Sequence, residues 1–250
     1  MIKALLGTAG LLALIPFGAA LADDASIPGA TVSWTGVYVG GHVGYGQSDT
    51  HWKNEGGSPY SNPCAFCAIT VPGENFSSDD AIAGGQVGYN YQIGPWVIGP
   101  EVSFSGTAFK DSHPVSPGAF FSPATTTISS KIDNILTVTG RLGYSVNNNV
   151  LVYAKGGYAS ADIAAKGIVS GCGGGCDFDT GGRADGWTAG AGIEYRLTNS
   201  ISFAVEYAHL DFGDETLVGV IPLYSPFNQK LRISSDADTV TARLNLHPFN

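Results

Sequence analysis

A strict two-residue alternation of apolar and polar side chains marks the stretch from Gly186 to Phe212. A period of two is typical of a β-strand with one apolar face. The turn-forming residues Thr198-Asn199-Ser200 divide the stretch and predict a hairpin of two strands. Each strand is roughly ten to twelve residues long, the length that a tilted strand needs to cross a bilayer. The apolar parity consists of Trp187, Ala189, Ala191, Ile193, Tyr195, Leu197, Ile201, Phe203, Val205 and Tyr207.

The same alternation recurs along the chain and predicts eight strands, at about 34–46, 81–93, 96–106, 130–146, 150–163, the two halves of 186–212, and 236–247. Three tight turns, at 94–95, 147–149 and 198–200, alternate with four long polar loops, at about 47–80, 107–129, 164–185 and 213–235. A soluble barrel or sandwich has no reason to sort its loops by length. The pattern therefore predicts an all-β fold, an eight-stranded antiparallel up-and-down transmembrane β-barrel with short periplasmic turns and long extracellular loops.

Aromatic residues on the outward parity are expected to form two girdles at the membrane interfaces. One group lies beside the tight turns and the other near the opposite rim. The girdle residues are Tyr91, Trp96, Tyr144 and Tyr195 at the turns and Tyr45, Phe104, Trp187 and Tyr207 at the far rim. Pro100 interrupts the third strand and, because it lacks a backbone donor, is expected to mark a bulge or a local break.

Charged residues on the inward parity are expected to meet inside the barrel. Eight strands leave a lumen only wide enough for side chains, so opposite charges there should form an ion-pair and hydrogen-bond network that plugs it. A gated or minor conductance is the alternative, and paired glutamates can also act as general acids and bases. Asp133 is likewise expected to point inward. The predicted network consists of Glu101, Arg141, Lys155, Glu194, Arg196, Glu206 and Arg243.

The N-terminus and the composition fit this fold. Residues 1–22 predict a cleaved signal peptide, with Lys3 in the basic region and a small-residue site at Ala20-Leu21-Ala22; an uncleaved helical anchor is the alternative. Residues 23–33 predict a periplasmic lead-in, and 34–250 the barrel domain. Only 13% of residues are charged, which suits lipid-facing strands. The formal charge of -9 makes nucleic acid a poor partner.

Four cysteines, Cys64, Cys67, Cys172 and Cys176, lie in two predicted extracellular loops. An oxidising compartment favours disulfides, either local or between the loops, whereas a four-thiolate zinc site is the alternative. Three aspartates, Asp177, Asp179 and Asp185, resemble part of a calcium loop, but Thr188 occupies the position where the final carboxylate is expected. A solvated acidic loop is the simpler interpretation, and no metal or other cofactor is expected.

Some outer-membrane barrels of this size are lipid-modifying enzymes that use histidine with serine. His42 and His209 lie in predicted strands, whereas His51, His113 and His247 lie in loops or at the end. No serine is found at a spacing that would place it beside His209 on the same face. The sequence therefore favours histidines at the interface or bonded in the lumen, and no enzymatic activity is expected.

Four blocks of sequence carry a resemblance to a family: WTGVYVGGHVGYG, GGQVGYNYQIGPWVIGPEVSFSG, RLGYSVNNNVLVYAKGGYA and GWTAGAGIEYRLTNSISFAVEYAHLDFG. They resemble the small surface antigens of Gram-negative bacteria called outer membrane immunogenic or porin-family β-barrel proteins. The similarity covers nearly all of residues 34–247. It implies a barrel like the transmembrane domain of outer membrane protein A. Such relatives usually end on an aromatic residue that the barrel-assembly machinery reads, whereas here Phe249 is followed by Asn250.

The resemblance implies a structural role in the outer membrane, in envelope integrity and surface exposure. Some relatives bind haemin, and many carry the porin label without a demonstrated pore. The expected partners are outer-membrane lipid, lipopolysaccharide and the barrel-assembly machinery, with a host surface or a small-molecule ligand at the extracellular loops. A small channel, or capture of a ligand such as haemin by the loops, is the alternative function.

Overall fold

The computed structural model describes residues 33–54, 75–107, 110–115, 126–169, 178–220 and 228–248. The predicted signal peptide, the lead-in before Ser33 and the four cysteines lie outside these residues, so those predictions stay predictions. Within the described ranges, no helix is long and apolar enough to cross a bilayer.

Every regular element described is a β-strand, and neighbouring strands pair in antiparallel fashion. The strands are β1 Gly36–Asn54, β2 Asn75–Ile93, β3 Trp96–Thr107, β4 Lys110–Val115, β5 Thr126–Asn147, β6 Val150–Val169, β7 Phe178–Thr198, β8 Ile201–Val220 and β9 Asn228–Leu246. They follow the order β3-β2-β1-β9-β8-β7-β6-β5-β4, and β3 also pairs with β5, which closes the sheet. Because β3 and β4 occupy one position against β5, the result is the predicted eight-stranded barrel.

The three tight turns lie where the sequence predicts them, and each uses local chemistry. Gly94 has a φ of 60°, a positive value that glycine adopts without steric cost. Pro95, whose ring fixes φ at a negative value, could not adopt it. The Asn147 side chain accepts hydrogen bonds from the backbone nitrogens of Asn149 and Val150, at 2.9 and 2.8 Å. The third turn connects Thr198 to Ile201. All three lie at one end of the barrel, called the turn end below, and the opposite end is the loop end.

The strands run further than the alternation predicts. β1 and β2 include 47–54 and 75–80 of the first predicted loop, and β4 and the start of β5 lie in the second. β6 to β9 extend in the same way into 164–169, 178–185, 213–220 and 228–235. Backbone hydrogen bonds do not require an apolar face, so paired strands continue where both faces are polar. The alternation that predicts strands disappears there.

The inward and outward assignments largely match the structure. The eight predicted girdle residues all face outward, with exposed fractions from 45% for Tyr144 to 55% for Phe104. Trp96 and Tyr144 lie opposite each other on β3 and β5, and their rings meet edge to face with centroids 5.2 Å apart. The outer surface of the barrel is therefore an apolar band with aromatic rings near both ends.

Asp133 is an exception, and its predicted inward position is wrong. The register between β5 and β6 shifts between Ile132 and Ile135. Both of these isoleucines are buried although they lie on opposite parities. The bulge exchanges the two faces, so the Asp133 side chain is 37% exposed and pairs with Lys131.

Pro100 produces a local break without a bulge. On the β2 side, pairing stops at Gly88 with Glu101 and resumes at Tyr91 with Ile98, in the same register. On the β5 side, Pro100 remains opposite Gly140. The loss of one ladder donor therefore interrupts one edge of β3 and leaves Glu101 pointing inward.

Candidate functional site

A closed ring of alternating charges occupies the middle of the lumen. It is formed by Glu101 on β3, Lys155 on β6, Glu206 on β8 and Arg243 on β9, and is called the ionic layer. The Lys155 ammonium lies 3.0 Å from Glu101 Oε1 and 2.7 Å from Glu206 Oε1. The Arg243 guanidinium pairs with Glu101 at 2.8 Å and also with Glu206. Each carboxylate thus bridges both cations.

Two buried tyrosines complete the hydrogen bonding of the ionic layer. Tyr38 donates its hydroxyl proton to Glu101 Oε2 at 2.7 Å, and Tyr153 donates to Glu206 Oε2 at 2.8 Å. The sequence analysis did not include either tyrosine in the network. Tyr38 shares the parity of His42, which was a usable signal, whereas β6 has a weak alternation that hid Tyr153.

A second group of polar residues, called the Glu194 cluster, lies between the ionic layer and the turn end. Arg141 and Glu194 form a buried ion pair, and the Arg141 guanidinium lies over the Tyr153 ring at 3.6 Å. Ser202 donates to Glu194, and the Asn245 side-chain amide donates to Glu194 Oε1 at 2.9 Å. The carboxylate charge is therefore shared among several donors, as a buried charge requires. The cluster consists of Arg141, Glu194, Ser202, Asn245 and His247.

Arg196 is buried inside the barrel, but it does not join the predicted ion-pair network. Among the described residues, no carboxylate lies within ion-pair distance of its guanidinium. Its Nη1 donates to the Asn199 backbone oxygen at 2.8 Å, and its guanidinium lies 4.4 Å from the centre of the Trp34 ring. Arg196 is two residues closer to the turn than Glu194, which places it in the mouth of the barrel. The structure thus brings together six of the seven predicted residues.

The loop half of the lumen is filled by apolar side chains, which the sequence analysis did not single out. We call this set the apolar cap. Phe212 and Ile135 are its largest fully buried members, at 1% and 2% exposed. The cap consists of Ile82, Ile132, Ile135, Ala159, Ala161, Ile163, Ala184, Leu210, Phe212 and Ala237.

A small cavity of about 40 Å³ separates the apolar cap from the ionic layer. Leu210 and Ile135 line one side, and Lys155, Glu206 and the hydroxyl of Thr137 line the other. A cavity of this size holds only a few water molecules. The cavity therefore lies where the apolar cap meets the ionic layer.

Comparison with known proteins identifies the family. The model of the family described as "Outer membrane protein beta-barrel domain" matches residues 9–244. The chain belongs to this family. It is 30% identical to the 31 kDa outer-membrane immunogenic protein of Brucella melitensis, over 77% of each chain. It is 27% identical to the 25 kDa outer-membrane immunogenic protein of Brucella ovis, over 81% of this chain and 87% of that one.

Solved structures agree on the fold. The outer membrane protease OmpT from Escherichia coli has a TM-score of 0.51 with 8% identity, over 85% of this chain and 96% of that chain. At this identity the likeness concerns the fold alone. The protein is thus an outer-membrane β-barrel, and in such barrels the short turns face the periplasm. The turn end is therefore the periplasmic mouth, and the loop end faces outward.

Two buried histidine–serine pairs lie inside this outer-membrane barrel, at histidines other than His209, for which the sequence offers no serine. His42 Nε2 lies 2.8 Å from Ser105 Oγ, and His247 Nε2 lies 2.9 Å from Ser202 Oγ. Residues on β1 and β3, or on β8 and directly after β9, come together only through the barrel topology, so sequence spacing could not reveal either pair. Ser202 already donates to Glu194, and the other ring nitrogen of His42 bonds Gln86 Oε1 at 2.7 Å.

The remaining sequence candidates lie apart from the lumen. His209 faces outward, where its Nδ1 lies 2.9 Å from Asp238 Oδ1. Asp185, part of the possible calcium loop, accepts a hydrogen bond from Tyr158. Asp177 and the side chain of Asp179 lie outside the described residues. In the described part of the chain, no three acidic, histidine or cysteine side chains form a group that could hold a metal ion.

Proposed function

We propose that this protein is a non-conducting, non-enzymatic structural barrel of the outer membrane, with its lumen plugged and its loop end presented at the cell surface. The ionic layer carries the proposal. Glu101 and Glu206 each contact both Lys155 and Arg243, so the ring has no gap between opposite charges. An ion crossing this layer would have to separate buried ion pairs, which costs several kcal/mol.

The apolar cap supports the proposal as a second barrier of different chemistry. It lies on the loop side of the ionic layer, and Ile82, Ile135 and Leu210 of the cap line the same 40 Å³ cavity as Lys155, Glu206 and Arg243. Hydrophobic constrictions exclude ions because they offer no replacement for the hydration shell. Two unlike barriers in series favour a sealed barrel over a small channel.

The inaccessibility of the two histidine–serine pairs favours a non-enzymatic role. Ser105 is 5% exposed and Ser202 is fully buried. Both point into the lumen, whereas a lipid substrate would approach from outside the barrel. The hydroxyl of Ser202 is already committed to a carboxylate, and the second nitrogen of His42 bonds an amide and not a carboxylate. A catalytic serine needs a free base and an open approach.

Planar-bilayer recording of the purified mature protein tests the plug. We expect no stable openings from the wild-type protein. The matched variant is the charge swap Glu101→Lys with Lys155→Glu, which keeps the net charge of the layer but sets like charges beside Arg243 and beside Glu206. Stable openings in the wild type that disappear in the swapped variant would contradict the proposal, because they would show that ions pass through this layer.

The envelope role is tested in cells. We expect a strain without the protein to be more sensitive to detergent and to regain resistance with the wild-type chain. Outer-membrane lipid, lipopolysaccharide and the barrel-assembly machinery are the partners proposed for this role, and the loops are proposed to meet host or small-molecule partners. Unchanged sensitivity in the deletion strain would contradict the structural role even if the lumen proved closed.

A further inference from the structure

Three side chains in the periplasmic mouth hold polar atoms that lack a protein partner. Trp34, Arg196 and His247 are all buried, at 0%, 3% and 1% exposed. Among the described residues, Trp34 Nε1, Arg196 Nε and Nη2, and His247 Nδ1 have no hydrogen-bond partner. The three groups are neighbours, since the Arg196 guanidinium lies 4.4 Å from the Trp34 ring centre and the rings of Trp34 and His247 are 6.3 Å apart.

Such a group of unpaired donors is costly. A buried donor without an acceptor destabilises a protein by about 1–3 kcal/mol, and a charged donor by more. The other lumen cations, Arg141, Lys155 and Arg243, all contact carboxylates, although the Nε atoms of Arg141 and Arg243 also lack a hydrogen-bond partner in the described structure. The predicted network contains three acids and four bases. Arg196 is therefore the cation of this network that has no carboxylate at ion-pair distance in the described part of the chain.

The free edge of Arg196 indicates which anion would fit. Nη1 is occupied by the Asn199 backbone oxygen, which leaves Nε and Nη2. These two nitrogens point their N–H bonds in the same direction along one side of the planar guanidinium. That side matches the two oxygens of a carboxylate, so both can be bonded at once. A single spherical ion between the two nitrogens would be bonded through two bent N–H contacts, whereas two oxygens give two straight ones.

We propose that the periplasmic mouth of the barrel binds a small carboxylate. Arg196 binds its two oxygens through Nε and Nη2, and Trp34 Nε1 supplies a neighbouring donor. His247 Nδ1 is a further ring nitrogen, unpaired among the described residues, beside these donors. The Arg196 guanidinium already lies over the Trp34 ring and bonds the Asn199 oxygen, so its position does not depend on a ligand. This site lies outside the ionic layer and does not depend on whether the lumen conducts ions.

A titration of the folded full chain in detergent micelles tests the site. The probe is sodium formate, with sodium chloride replacing it at constant ionic strength. The readout is the indole N–H signal of Trp34 in nitrogen-15 NMR, assigned with the Trp34→Phe variant. The chain has four tryptophans, so Trp52, Trp96 and Trp187 serve as internal references. We expect a saturable shift of the Trp34 signal alone with formate.

Two variants separate a carboxylate site from a general effect of charge. Arg196→Lys keeps the charge but removes the planar pair of donors, and should weaken formate binding by about tenfold or more, as expected for the loss of a charge-assisted hydrogen bond. Arg183→Lys is the matched control, because Arg183 contacts Ser160 at the loop end. Heat-modifiable migration shows that each variant is folded. No saturable shift, an equal response to chloride, or unchanged binding in Arg196→Lys would overturn the proposal.

Discussion

The two halves of the lumen are closed by opposite means within one wall. Toward the periplasm, the ionic layer and the Glu194 cluster close the lumen with charges that contact one another directly, beside a smaller apolar cluster of Trp34, Val97, Leu151 and Tyr153. Toward the outside, the apolar cap fills it with isoleucine, leucine, alanine and phenylalanine. The parity rule that sends alternate residues inward is the same in both halves, and only the chemistry of the inward residues differs.

The two halves should therefore differ in how well each tolerates a side-chain substitution without a loss of stability. A buried carboxylate needs specific partners at hydrogen-bonding distance, and removing one leaves the others unpaired. A packed apolar layer needs volume, and neighbouring side chains relax partly when a methyl group is lost. We therefore expect the periplasmic half to be sensitive to isosteric changes that the loop half would accept.

The largest effect is expected from Glu194→Gln, which changes the charge but hardly the volume. Arg141 would lose its carboxylate partner while it remains buried, and the free energy of unfolding should fall by about 3–5 kcal/mol. Urea unfolding in lipid vesicles measures this change. Asp162→Asn is the control, because Asp162 is exposed on the outside. Adding Arg141→Met to Glu194→Gln should recover most of the loss, and an unchanged stability of the single variant would contradict the comparison.

A smaller loss is expected from Gly88→Ala. A Cβ atom at Gly88 would overlap the ring of Tyr38, whose hydroxyl donates to Glu101. Moving this ring should cost about 1–3 kcal/mol and weaken that hydrogen bond. The same unfolding measurement applies, with Gly85→Ala as the matched control. Gly85 faces outward, and its added Cβ would lie 3.4 Å from the Gly40 oxygen. Equal effects at both glycines would show that the Tyr38 contact is unimportant.

In the apolar cap, Ile135→Val should cost only about 1 kcal/mol, because it removes one methylene group from a layer that can relax. Ile135 is 2% exposed, so the full packing effect should be measured. The loss of unfolding free energy in Ile135→Val, set against the loss in Glu194→Gln, is the direct test of the comparison between the two halves of the lumen. If Ile135→Val destabilised the barrel as much as Glu194→Gln, the two halves would not differ in tolerance.

The smallest effect is expected outside the lumen, at the loop-end rim of the barrel, where Asp49, Asp236 and Asp211 lie directly opposite one another on β1, β9 and β8. Partial burial and the neighbouring Asp49 raise the pKa of Asp236. The folded state therefore binds a proton on the Asp236 carboxyl more tightly than the unfolded chain does. The stability falls as the pH rises from the ordinary aspartate pKa through the raised pKa of Asp236. Asp236→Asn should stabilise the barrel at neutral pH by about 0.2–1 kcal/mol.

The pH dependence provides the check on this last prediction. The gain from Asp236→Asn should vanish at a pH below the ordinary aspartate pKa, where the wild-type carboxyl is already protonated. Asp238→Asn is the control, and it should destabilise the barrel at neutral pH, because the Asp238 carboxylate accepts a hydrogen bond from Tyr207 at 2.6 Å. A loss of stability in Asp236→Asn at neutral pH would show that the row of aspartates is not repulsive.

The parity of single strands could be predicted from the sequence in most places. Val37, Val87, Val102 and Phe203 face lipid, and Glu101, Arg141 and Arg243 face inward, because a strand exposes alternate residues to two environments of different polarity. Asp133 was predicted incorrectly because a bulge exchanges the faces at Ile132 and Ile135. The ends of the strands were also predicted incorrectly, because outside the membrane both faces of a strand are polar and the alternation that predicts strands disappears.

The sequence by itself determined the number of strands, the positions of the tight turns and the list of charges that enter the lumen, because these depend on local alternation and turn chemistry. Only the tertiary structure decided which charges meet. Glu101 and Arg243 are 142 residues apart along the chain, and Ser105 reaches His42 across an intervening strand. Barrel closure and register set these distances, and neither leaves a trace in the spacing of residues. For the same reason, the pairing of Arg196 with Trp34 in place of a carboxylate was visible only in the folded protein.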